Sequence, residues 1–197
     1  MAQRGLSSLR IVPPPRRQPV VANGVLGMLI FVMTEAMLFA GLISAFTIVR
    51  GATPGPWPPA GQPRLPVEET AFNTAALLLS GLLLYAAGRA FKRNPRSANI
   101  PLLLSMGLGA FFVIFQGLEW LALLRVGLTL TSSPHGSFFY LIVGLHALHA
   151  VAGLAVLGRV YARLLQRRLP GSTLATAQVF WFFVVGLWPI LYVRVYL

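Results

Sequence analysis

The sequence has no cysteine and no aspartate, and its only acids are Glu35, Glu68, Glu69 and Glu119. Without thiols, this chain can form no disulfide, Fe–S cluster, thiolate zinc site or covalent c-type haem. Charged residues are scarce, at 10% of the total, while 56% are hydrophobic, a balance foreign to soluble domains. There is no phosphate loop, no Ser/His/Asp set and no convincing internal repeat, which argues against an inverted-repeat transporter. Residues 1–19 lack the apolar stretch of a signal peptide. They are expected to remain as an Arg/Pro-rich cytoplasmic tail ahead of one domain, 20–197.

What is present is a series of apolar blocks about 20 residues long, separated by short joints rich in Arg, Pro and Gly, the pattern of a polytopic helical membrane protein. Five spans are expected, over roughly 21–49, 71–91, 101–124, 137–164 and 174–196, so the fold class is all-α with five transmembrane helices. The net charge of +12 could suggest a nucleic-acid partner. The arginines, however, stand at the ends of apolar blocks rather than along one polar face, and nucleic-acid binding is not expected.

Those basic residues orient the chain. Arg4, Arg10, Arg16 and Arg17 precede the first span, and Arg89, Lys92, Arg93 and Arg96 follow the second. Arg159, Arg163, Arg167 and Arg168 follow the fourth, whereas only Arg50, Arg64, Arg125 and Arg194 fall on the other side. The positive-inside bias places the N-terminus in the cytoplasm and the C-terminus outside. Trp57, Trp120, Trp188, Tyr192 and Tyr196 gather at the outer ends, as interfacial anchors would.

Several polar groups interrupt the spans. Glu35 sits mid-way along the first, sharing a helical face with Phe31, Phe39 and Leu42. A carboxyl there costs at least about 2.5 kcal/mol unless it is protonated or partnered. Either it exchanges a proton or it clamps a neighbouring helix, and His149 of the fourth span, at similar depth, is the expected partner. Gln116 and Glu119 are three residues apart in the outer part of the third span, where a polar inter-helix clamp is the simpler reading. His146 and His149 share a face of the fourth span. Three residues apart on one helix, they cannot supply opposite axial ligands to a haem, and no Glu-x-x-His pair for a di-iron site accompanies them. No metal site and no catalytic residue are assigned. The small residues Gly81, Gly88, Gly144, Ala147, Ala150 and Gly153 permit close helix packing.

In order along the chain, these groups resemble subunit III of the haem–copper terminal oxidases. The resemblance rests on Glu35 to Phe39 followed by Arg50 and Trp57-Pro58-Pro59; Leu65-Pro66 with Asn73-Thr74 and Ser80; and Gln116, Glu119-Trp120 and Gly127. It continues through Gly136-Ser137-Phe138-Phe139, then Gly144, His146, His149 and Gly153, to Trp181, Trp188, Tyr192 and Tyr196. It runs from about Gly24 to the end. The chain departs from the pattern at Phe182 and Val185, where the family has histidine and aspartate, and it keeps one serine of a usual pair, at Ser80.

The resemblance implies a non-catalytic subunit of a proton-pumping oxidase in aerobic respiration, packed on the catalytic subunit I in a hetero-oligomeric complex. It also implies that haem and copper reside in partner subunits, with none bound by this chain. The expected location is a bacterial inner (plasma) membrane. The family's role is to support proton uptake, protect the catalytic subunit during turnover and hold lipid in a cleft. Longer members carry two further N-terminal helices, so the resemblance is to the five-helix form, with the cleft open or completed by another subunit. Glu35, His149, His146, Glu119 and Gln116 become the polar or proton-exchange network. Arg50 and Trp57 become the phospholipid contacts and the basic joints further candidates for lipid phosphate, with Arg50 expected to hold anionic lipid more strongly than Arg96. Two other readings stand beside this one: an accessory subunit of a nitric oxide reductase or other respiratory complex, and a small proton-coupled transporter.

Overall fold

Each apolar block folds as a helix because in hydrocarbon every backbone N–H and C=O needs a partner within the segment. The computed structural model describes residues 22–55, 57–59, 62–63 and 65–197, so the tail 1–19 and Arg64 lie outside the described residues. Five helices long and apolar enough to cross a membrane follow one another: α1 Asn23–Ala52, α2 Val67–Arg93, α3 Asn99–Arg125, α4 Pro134–Leu165 and α5 Gly171–Leu191. A 3-10 turn, Pro95–Ala98, leads into α3, and a π-helical turn, Tyr192–Tyr196, closes the chain after α5.

Helix ends differ from the apolar blocks for local reasons. Helix α2 starts four residues before its block, because Glu68 and Glu69 in its first turn suit the positive end of the helix. Helix α4 starts at Pro134, since Ser133 Oγ accepts the Gly136 N–H at 3.1 Å and proline tolerates the first helical position. Helix α3 ends with Gly127 at φ 90°, while the N–H groups of Gly127 and Leu128 return to the carbonyls of Leu124 and Leu123. Pro189 lies inside the last turn of α5, where it removes one N–H, and the wider π turn follows it.

Helix α5 is the centre of the bundle: it touches α1, α2 and α4, while α2 packs along α3 and α3 along α4. Its large side chains enter gaps left by small residues elsewhere. The Trp181 indole lies between α3 and α4, at places where a Cβ on Gly109 or Gly153 would come within 2.6 or 2.7 Å of it. Its Nε1–H donates to Ser80 Oγ of α2 at 3.0 Å. Ser80 and Ser105 each donate to the other's backbone carbonyl at 2.8 Å, joining α2 to α3. Val185 fills the space beside Gly81, and Gln178 Nε2 donates to the Leu84 carbonyl at 2.9 Å, beside Gly88. Such close packing drives association in lipid, where apolar burial alone contributes little.

Helix α1 is the least enclosed. Only Phe39 and Phe46 are buried along it, and Met33 and Met37 are 68% and 72% exposed. It runs parallel to α5: Gly24 lies against Thr176 at one end, and Arg50 shares a groove with Arg194 at the other.

Candidate functional site

Glu35 projects from α1 toward α4, where its Oε2 lies 3.2 Å from His149 Nε2. The opposite ring nitrogen, His149 Nδ1, is 2.7 Å from the Leu145 carbonyl. A carbonyl can only accept, so Nδ1 carries a hydrogen and Nε2 is left to face the carboxyl. The two groups stand at ion-pair distance, an acid on an outward helix facing an imidazole on an inner one. Glu35 Oε2 is buried and has no hydrogen-bond partner among the described residues, so the His149 contact is one of distance alone. Phe39 packs edge-on to the imidazole at 5.6 Å, with Phe180 and Phe183 of α5 around it.

Phe182 lies elsewhere. It is 37% exposed on the outer surface of α5, so the pair meets Phe180 and Phe183 rather than the position where the family has histidine. Val185, at the aspartate position, is buried against Gly81.

One turn along α4, His146 is fully buried, and neither ring nitrogen has a hydrogen-bond partner. Its ring lies 5.0 Å from the Trp188 ring, with Phe39 and Phe112 edge-on at 6.5 and 6.2 Å. His146 and His149 share a helix face but serve separate surroundings, one an aromatic box and the other the Glu35 pair.

Gln116 and Glu119 tie three elements together. Glu119 Oε2 accepts from Thr70 Oγ1 at 3.1 Å and from Gln116 Nε2 at 2.8 Å. Gln116 Nε2 also donates to the Tyr196 hydroxyl at 2.9 Å, and Asn73 Nδ2 donates to the Phe112 carbonyl at 3.2 Å. Helices α2 and α3 and the final π turn are thereby locked, and α2 contributes two residues, Thr70 and Asn73, that polarity within the spans did not single out. Gln116→Leu should leave Glu119 with Thr70 alone and strand the Tyr196 hydroxyl in a buried setting, lowering stability by about 2 kcal/mol or more. Thermal unfolding in detergent checks this.

Two expected interfacial anchors are interior residues instead. Trp188 is fully buried and donates its Nε1–H to Thr74 Oγ1 at 2.8 Å, and Tyr196 is buried on Trp188 and Phe139. Each polar handle finds a partner on a neighbouring helix, so neither needs the interface. Trp57 turns inward too, edge-on to Phe46 at 5.7 Å and to His135 at 5.3 Å. His135 is itself buried, its ring nitrogens unpartnered. Arg50 lines a groove of about 360 Å³ with Phe46, Val193 and Arg194.

Among the described residues, no group of three or more His, Cys, Asp or Glu side chains is placed to hold a metal ion.

The family model described as "Cytochrome c oxidase subunit III" matches residues 16–197. The chain is 32% identical to cytochrome c oxidase subunit 3 of Homo sapiens and 30% identical to that of Mus musculus. In both cases the match covers 90% of this chain and 71% of the relative. The subunit 3 of Oncorhynchus mykiss is 33% identical with the same coverage. The bundle of five membrane-crossing helices and the match over nearly the whole chain agree: this multi-pass membrane protein belongs to the cytochrome c oxidase subunit III family and is a subunit of an oxidase complex.

Proposed function

We propose that the chain is the non-catalytic subunit III of a proton-pumping haem–copper oxidase, supporting proton uptake beside a catalytic subunit I that reduces O2. The observation that carries this reading is the Glu35–His149 contact at 3.2 Å, with His149 Nδ1 fixed on the Leu145 carbonyl. An acid and an imidazole facing each other part-way along two spans can pass a proton between them without moving a helix. The carboxyl side of the pair stands on the least enclosed helix, α1, which is the side a partner or lipid would meet.

In this reading haem and copper reside in partner subunits. The basic joints face the cytoplasm of a bacterial cell, whose plasma membrane holds the complex. Arg50, with Arg194 in the same groove, and Trp57, packed on the groove residue Phe46, hold an anionic phospholipid headgroup on the outer side.

The test is purification from native membranes in a mild detergent, through a tag on this chain. A larger haem-bearing chain should co-purify, and after separation in harsh detergent this chain should show no haem or copper absorption. Recovery of the chain alone, or stoichiometric haem that stays with it, would overturn the reading.

A further inference from the structure

We propose that a second phospholipid site lies at the opposite, basic end of the bundle, between the α2–α3 joint and the α4–α5 joint. A cavity of about 510 Å³ opens there, lined by Phe91, Arg96, Asn99, Leu164, Arg167 and Leu169. Its level follows from the helix ends: α2 stops at Arg93, α3 starts at Asn99, α4 stops at Leu165 and α5 starts at Gly171. Lipid phosphates lie where spanning helices leave the hydrocarbon.

The lining suits an anionic phospholipid in each part. Arg96 and Arg167 bring two guanidiniums, the side chain best fitted to a phosphate diester. No carboxylate of the chain competes for them. Among the described residues, the one contact between a basic side chain and an acid is Glu35 with His149. Glu68 and Glu69 lie at the other end of the 27-residue α2, about 40 Å away along the axis. Asn99 Oδ1 is buried without a hydrogen-bond partner and can take a hydroxyl of the headgroup. Phe91, Leu164 and Leu169 form an apolar side, which suits an acyl chain and has nothing to offer a free hydrated phosphate.

An independent observation concerns the backbone of Arg167. Helices α3 and α4 end in the same hydrogen-bonded motif. In α3 the left-handed position is Gly127, at φ 90°. In α4 it is Arg167, at φ 56°, whose N–H donates to the Leu164 carbonyl at 3.0 Å while that of Arg168 donates to the Arg163 carbonyl at 2.9 Å. Glycine is the usual residue there because a Cβ is strained in that conformation. An arginine kept at such a place, with its side chain lining a cavity, is accounted for by use of the guanidinium. The facing joint is rigid: Asn94 Oδ1 accepts the Arg96 N–H at 3.1 Å, and Pro95 opens the 3-10 turn.

The same strain supplies a clean test, because Arg167→Gly removes the charge while relieving the backbone, so loss of lipid cannot be blamed on misfolding. The intact complex, purified in mild detergent, is compared by native mass spectrometry with Arg96→Ala, Arg167→Gly, the double variant and two controls, Arg159→Ala and Lys92→Ala. Those control side chains are exposed and lie outside the cavity. Retention of anionic phospholipid should fall about fivefold for each single arginine change, and the double variant should lack one bound lipid. Re-added phosphatidylglycerol should restore the lipid to the unmodified complex and fail to do so in the double variant; millimolar inorganic phosphate should not displace it. An unchanged lipid count in the double variant would overturn the site. Equal loss in the controls would reduce it to general surface charge, and displacement by inorganic phosphate would make it a free-anion site.

Discussion

Gly109→Leu is expected to abolish recovery of the folded chain from membranes, whereas Gly107→Leu, two residues away on the same helix, should leave recovery intact. Even a bare Cβ on Gly109 would sit 2.6 Å from the Trp181 ring and 3.0 Å from Leu154, while one on Gly107 would meet nothing within 4 Å. The ring cannot retreat. It is fully buried, with Gly153 on its other side, where a Cβ would likewise come within 2.7 Å, and tethered by its Nε1–H to Ser80. A single extra methyl in such a sandwich costs about 1–3 kcal/mol, and a leucine side chain adds three further carbons in the same space. At Gly107 the change replaces a flexible helix residue with a better helix former, a gain of roughly 0.5–1 kcal/mol. Detergent-extracted yield and melting temperature of the paired variants read the contrast. Equal losses would show that the outer face of α3 is as crowded as the inner one.

That contrast also shows what a sequence can carry. The five helices are legible because hydrocarbon leaves the backbone no other structure, and block length then sets their number. The Glu35–His149 pair is legible for a related reason: a lone acid in an apolar block needs a partner, and few residues at its depth can serve. Gly109 and Gly107 are indistinguishable on that basis, since which one faces Trp181 depends on how the helices are rotated. The same blindness separates Phe182 from Phe183. Both are apolar neighbours, yet one faces outward and the other packs on His149. Trp188 and Tyr196 mislead because an amphipathic ring near a span end serves the interface or an inter-helix hydrogen bond equally well. Only the position of Thr74 and Gln116 decides between them. The basic joints are legible as lipid-phosphate candidates, but their meeting in one pocket is not, since it joins residues about 70 apart in sequence.

Selective reaction with a hydrophobic carbodiimide is expected at Glu35. The reagent concentrates in the bilayer and adds to a carboxyl oxygen with transfer of a proton. Glu68 and Glu69 open α2 at the membrane edge, outside the reagent's preferred phase. Glu119 is enclosed: its Oε2 is held by Thr70 and Gln116, and its Oε1 is buried. Glu35 differs from all three. It stands part-way along the most exposed helix, its side chain is 17% accessible, and the His149 imidazole lies 3.2 Å from the oxygen to be modified. Glu35→Gln should remove nearly all of the label, and the complex should still assemble, because the amide can donate to His149 Nε2 in place of the acid. His149→Phe should keep a carboxyl but remove the partner that positions it, lowering the labelling rate by tenfold or more, the order expected for loss of a placed proton-transfer group. Mass spectrometry of the digested chain reads all of these. Labelling centred on Glu119 would mean that α3, not α1, offers its acid to the bilayer, and failure of Glu35→Gln to assemble would make the pair a structural clamp rather than a proton-exchanging one.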